Sequence, residues 1–168
     1  MISCKDENMK FLDLTESPTY KDTIENNPNL EVNRAKEWLS QKVNHYFNNH
    51  NISLEEEMRK MTTQDYYQYK MDAMSVDLDG SLTSREFKNK WKDKFNISKA
   101  GAGVGFLISG QDWDSIKMSK CELVSVKDNT YLFDVILLDK GFKTHYPSQI
   151  KIIKSKTDFL IADVLQEQ

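Results

Sequence analysis

The sequence predicts an α+β fold in which N-terminal helices pack on a curved antiparallel sheet. Three observations carry that reading. Apolar residues recur at helical spacing through the first 95 positions, they alternate at strand spacing from about Ile116 onward, and the alternating runs are separated only by short turns. Helices first and strands afterwards point to α+β rather than to a parallel sheet, whose crossovers would interleave the two. A chain of 168 residues, 39% hydrophobic and 11% aromatic, is sized for one core. Residues 1–32 are read as leader and loop, and 33–168 as the domain.

Composition excludes several classes of function. The formal charge of −3 offers no electrostatic footprint for nucleic acid or an anionic membrane surface. No apolar run reaches the roughly 18 residues that a spanning helix needs. The two cysteines, Cys4 and Cys121, are too far apart and too few for a disulfide framework. Cys121 falls in an apolar alternating run and is expected to act as a small core hydrophobe.

The opening MISCKDEN is similar to the end of a bacterial lipoprotein signal, in which a hydrophobic and a small residue precede a lipidated cysteine and a polar tether follows. On that reading Cys4 carries the lipid, the true start lies upstream, and the protein sits in the periplasm or on the cell surface. The other reading is a cytoplasmic protein with a polar N-terminus, and the sequence leaves both open. A lipid anchor at Cys4 is the one membrane association it suggests.

From Asn33 the positions Ala35, Trp38, Leu39, Val43, Tyr46 and Phe47 share one stripe and predict the first core helix, over about 34–48. Ser53 with Glu56 reads as a capping box opening a second helix. Thr62 and Thr63 interrupt it before it resumes through Tyr66, Tyr67, Lys70, Met71 and Met74. These aromatic residues and methionines read as core filler.

SVDLDGSLTSREF, residues 75–87, aligns with a calcium-binding loop through Asp77, Asp79, Gly80, Ser81 and Glu86. Ser75 stands where an anionic first ligand belongs, however, and no second loop of this kind pairs with it. The same residues have a full explanation without metal. Thr83 caps a helix, Glu86 closes the capping box, and Leu82 with Phe87 forms a hydrophobic staple. A capped helix start is therefore the expectation, and neither metal nor other cofactor is assigned.

Phe87, Trp91 and Phe95 then form one apolar stripe, with Lys88, Lys90, Lys92 and Lys94 mostly on the others, so the lysines read as a solvated face and not as a nucleic-acid site. The glycines of AGAGVGFLISGQDW follow a helix and run toward strands, the reverse of a phosphate-binding loop. Close backbone packing or a mobile flap is the expected use. Four strands follow, at about 116–126, 131–138, 146–154 and 159–164, joined as an antiparallel meander.

Helices over the first 95 residues, the QDW segment, and antiparallel strands ending in KTDFLIADV, with Ile161 to Asp163 near the close, resemble the nuclear transport factor 2-like superfamily in its small bacterial branch. The likeness covers about 33–164 and rests on order and pattern. It implies a sheet wrapped around a helix as a cone whose mouth holds a ligand. It also implies a choice among binding modules, toxin-neutralising immunity proteins and isomerase- or dehydratase-like enzymes.

A catalytic member would need an acid or base in the cone. Asp112, Asp134 and His145 are the candidates, with Tyr66, Tyr69 or Tyr131 as donors, but they form no recognisable constellation. The sequence therefore points to a non-catalytic module for a small apolar ligand or a protein or peptide partner. The expected site residues are Asp112, Trp113, Asp134 and His145 at the cone mouth. The oligomeric state stays open, a dimer included.

Overall fold

The computed structural model describes residues 28–156 and 158–166. Cys4 lies outside them. The order is α1 (Pro28–Asn48), α2 (Leu54–Met61), α3 (Gln64–Ser75), α4 (Ser84–Trp91), a 3₁₀ turn (Ile97–Lys99), then β1 (Ile116–Lys127), β2 (Thr130–Asp139), β3 (Thr144–Ser155) and β4 (Asp158–Gln166). The strands form one open antiparallel sheet in the order β1-β2-β3-β4. The α+β architecture, with helices packed on a curved antiparallel sheet, is as the sequence reading has it.

Helix α1 starts earlier than the periodicity suggests, because residues 28–32, read as loop, are helical. Proline suits a first helical position, where its missing N–H costs nothing and its φ is already helical. Glu31 then lies in the first turn, pairs with Arg34 at 2.6 Å, and meets Lys154 of β3 at 2.8 Å. Polar pairing therefore extends the helix beyond its apolar stripe. That stripe, Ala35 to Phe47, is buried throughout. At the far end Asn48 Nδ2 donates to Ile116 O at 2.8 Å and ties α1 to the start of β1.

The break at Thr62 and Thr63 has a structural use. Thr62 bridges Ile161, the Thr63 N–H donates to Ile161 O at 2.8 Å, and the Thr63 hydroxyl caps α3 by accepting from Tyr66 N. The interruption thus pairs with the outer edge of β4, which blunts one of the two edges of the sheet. Ser53 caps α2 by accepting from Glu56 N at 3.4 Å.

At residues 75–87 the capped helix start is present. The Thr83 hydroxyl accepts from Glu86 N while Glu86 Oε2 accepts from Thr83 N at 2.9 Å. Leu82 packs against the core and Phe87 is buried, the positions a staple would use. Both arms of Asp77 are occupied by Ser84, its N–H at 2.8 Å and its hydroxyl. Among the described residues no three His, Cys, Asp or Glu side chains come together as a metal-ligand set.

The α4 stripe docks on α3 through rings. Tyr69 is stacked on Phe95 at 4.2 Å and on Phe87 at 5.7 Å, with Trp91 edge-on at 5.6 Å. Trp91 Nε1 and Lys90 Nζ both donate to Asp72 Oδ2 at 2.8 Å.

In the sheet Tyr131, Phe133, Val135 and Leu137 of β2 and Ile150 and Ile152 of β3 are buried on the helix-covered face. Leu132, Asp134, Ile136 and Leu138 alternate onto the other face and are half-buried. Asp128 and Asn129, both left-handed at φ 48° and 62°, make a two-residue turn whose twist suits the β1–β2 hairpin. Cys121 is half-buried, not a core residue.

The capping geometry sets an expected result. Thr83→Ala should lower the unfolding free energy by about 1 kcal/mol in urea, and Asp79→Ala should change it by less than about 0.5 kcal/mol. Millimolar calcium should leave the thermal midpoint in place. A calcium-induced rise that disappears in Asp79→Ala would show that the loop is a metal site.

Candidate functional site

Between the helices and the entry to β1 lies a cavity of about 270 Å³. Tyr46 and Phe47 of α1, Leu54 of α2 and Met74 of α3 form one side, and Gly105, Phe106, Ile108, Gly110, Gln111 and Trp113 form the other. Its walls are aromatic rings in edge-to-face contact: Tyr46 with Phe106 at 5.3 Å, Tyr46 with Phe47 at 4.9 Å, and Phe47 with Trp113 at 5.3 Å. Such pairs add to the stabilisation that burial provides. Trp113 is half-buried and its Nε1 donates to Phe47 O at 3.0 Å, which fixes the indole against the end of α1.

The glycine-bearing segment supplies the second wall, and a buried lysine holds it. Lys70, on the same face of α3 as Tyr66 and Ala73, has no solvent exposure. Its Nζ donates to Ala100 O at 2.9 Å, to Gly101 O at 3.3 Å and to Gln166 Oε1 at 3.4 Å, which uses all three ammonium donors. Gln166 in turn donates through Nε2 to Gly105 O at 3.2 Å, and Gly103 N donates to Ala73 O at 2.8 Å. The stretch is thus pinned to α3 and β4 at several points.

Gly101 is required where it stands. Its φ is +63°, and a Cβ there would lie 1.7 Å from Gln166 Oε1 and 2.6 Å from Val104 Cγ2. Leu107 adopts φ 69° without being glycine, and its burial at 1% exposure maintains this costly conformation. It stands between two cavity-lining residues, Phe106 and Ile108.

Two other buried acids are structural. Burial pushes the Asp139 carboxyl up, but N–H donors from Phe142, Asp114, Gly141 and Ser115 outweigh it and leave the group below its ordinary value. These bonds, 2.9 Å from Gly141 and 3.0 Å from Asp114, tie the β2–β3 turn to the segment entering β1. Asp163 is 5% exposed, and burial raises its pKa against the partial offset of Lys151 at 3.9 Å.

The four site residues expected from the sequence do not meet. Trp113 lines the cavity, and Asp112 beside it is exposed. Asp134 accepts from Gln149 Nε2 at 2.8 Å and lines a separate depression of about 240 Å³ with Lys120 and Pro147. His145 pairs with Leu138 and is exposed. Strand alternation places both Asp134 and His145 on the sheet face away from the helices, a side that periodicity cannot choose when both faces are apolar.

Tyr66, Tyr69 and Tyr131 are buried in the core and do not line the cavity. Lys70 and Gln166 were legible only as a lysine on an apolar helix stripe and a polar residue on a strand's inner face. No family model, curated protein or solved structure matches the chain.

Burial lowers the Lys70 pKa to about 7. Below that value folded and unfolded chains both carry the ammonium, and its burial cost is felt in full. Between about 7 and the ordinary value near 10.4, the unfolded chain holds a proton that the folded chain lacks, so stability rises with pH. Cys121, Tyr46, Tyr66 and Tyr69, which burial holds protonated, act in the opposite direction only where an unfolded thiol ionises, near pH 8.5, or unfolded tyrosines do, near pH 10. Urea unfolding from pH 6 to 8 should therefore show rising stability, and Lys70→Met should flatten the curve. An equal slope in the variant would mean that Lys70 is not buried as a charge.

Proposed function

We propose that the protein is a non-catalytic binding module of nuclear transport factor 2-like type, which holds a small apolar ligand in the cavity at Trp113. The observation that carries this reading is the cavity itself, with aromatic and aliphatic walls and only a few polar groups at its edge. Ligand sites commonly have this composition, apolar for affinity and sparsely polar for orientation. The family assignment is supported by the order of elements, helices first and then a curved meander that closes through Ile161 to Asp163.

A binding role is favoured over an enzyme of the isomerase or dehydratase kind by what lines the cavity. Asp134 and His145 stand on the other face of the sheet, and Tyr46 is the one lining side chain with a titratable group. Burial pushes its phenol up to about 12, which leaves it neutral and unsuited to act as a base at ordinary pH.

A second reading, a protein partner such as a toxin that this chain neutralises, draws on the β1 edge of the sheet, which no other strand among the described residues covers. Strand β1 is an edge strand, and Leu123, Val124 and Val126 near its end are 38%, 48% and 50% exposed. Unpaired edges accept an added strand. The complex would form with the product of a neighbouring toxin gene and be lost in Val124→Lys.

The primary reading is checked by filling the cavity. Leu54 is half-buried on its rim, so Leu54→Trp should keep the thermal midpoint within a few degrees while abolishing binding of naphthalene in saturation-transfer NMR. Equal binding by the variant would remove the cavity from consideration.

A further inference from the structure

Resting on the cavity reading above, we infer that the ligand class is an uncharged aromatic molecule of one or two rings carrying one hydrogen-bond acceptor, to which the Tyr46 hydroxyl donates. Size comes first. A cavity of 150 Å³ lined by apolar side chains takes benzene, and the space here is about 270 Å³. That admits a second ring or a short substituent.

Shape and polarity narrow the class. Tyr46, Phe47, Phe106 and Trp113 offer ring faces and edges at fixed angles, an environment that rewards a planar partner through the same offset and edge-on contacts the walls make among themselves. No Lys, Arg, His, Asp or Glu stands among the lining residues, so a charged ligand would lose its hydration with no compensating partner.

The orienting group follows from the polar side chains of the wall, Tyr46, Gln111 and Trp113, and the carbonyl of Gly105. Trp113 Nε1 is committed to Phe47 O, and Gly105 O is committed to Gln166. Among the described residues the Tyr46 hydroxyl has no hydrogen-bond partner, although the residue is only 8% exposed. It is protonated at ordinary pH and is therefore a donor. The Gln111 amide, exposed at the rim, is the other uncommitted group, and being in water it discriminates less.

The test uses four probes of similar size on the full chain: 2-acetonaphthone, naphthalene, 2-naphthoate and 2-decanone. Binding is followed by equilibrium dialysis and by the Trp113 indole N–H signal in NMR, assigned with Trp113→Phe. 2-Acetonaphthone should bind at least about tenfold tighter than the naphthoate and the decanone. Tyr46→Phe, which removes only an unbonded hydroxyl, should weaken 2-acetonaphthone by about five- to tenfold, the effect of one hydrogen bond, and leave naphthalene unchanged.

Equal or tighter binding of 2-naphthoate or 2-decanone would overturn the ligand class while leaving the cavity reading intact. So would an unchanged 2-acetonaphthone affinity in Tyr46→Phe. If no probe moves the Trp113 signal, the cavity reading itself fails and the inference falls with it.

Discussion

One buried ammonium joins parts of the chain that are far apart in sequence. Lys70 Nζ reaches from α3 to the carbonyls of Ala100 and Gly101 and to Gln166 at the end of β4. Burying a charge without a counter-charge is costly, and carbonyl dipoles repay only part of that cost. As an ammonium the group uses all three donors, and its burial cost appears as a pKa lowered to about 7. What it secures is position: the segment between the 3₁₀ turn and β1 has no regular structure of its own, and the lysine with Gln166 decides where it lies.

The rest of the site depends on that placement. With Gly101 and Gly105 held, Phe106 and Ile108 are delivered into the core on either side of the left-handed Leu107, and Phe106 meets Tyr46 edge-on. Trp113, a few residues on, closes against Phe47 and the end of α1. Asp139 performs the matching task at the other end of the segment, where its carboxylate receives the N–H of Asp114. The cavity is thus a gap between residues of three helices, α1, α2 and α3, and an irregular wall pinned at both ends, which explains how an apolar space stays open beside an otherwise close-packed core.

The two faces of the sheet differ in what they bury. The inner face is filled by Phe133, Val135, Leu137, Ile150 and Ile152 and leaves no room beside α1. The outer face mixes aliphatic residues with Asp134, Gln149 and Lys151, all half-buried. Its two edges also differ, since β4 pairs with the Thr62 and Thr63 break while no strand among the described residues pairs with the outer edge of β1. A protein partner and a small ligand would accordingly use different parts of this molecule.

The sequence by itself determined what local periodicity and short-range hydrogen bonding decide. The stripe Ala35 to Phe47, the Thr83 and Glu86 capping box, the interruption at Thr62 and Thr63, and four alternating runs all emerge as read, because each depends on neighbours within a few residues. Trp113, singled out as a large ring following a glycine-rich stretch, lines the cavity. Tertiary structure alone decided which face of the sheet the helices cover. That choice sends Asp134 and His145 away from the cavity, and a chain with apolar residues on both faces of β2 carries no local signal for it. It alone also decided that Lys70 points into the core, because the carbonyls and the glutamine amide that make its burial tolerable come from positions 30 to 96 residues away.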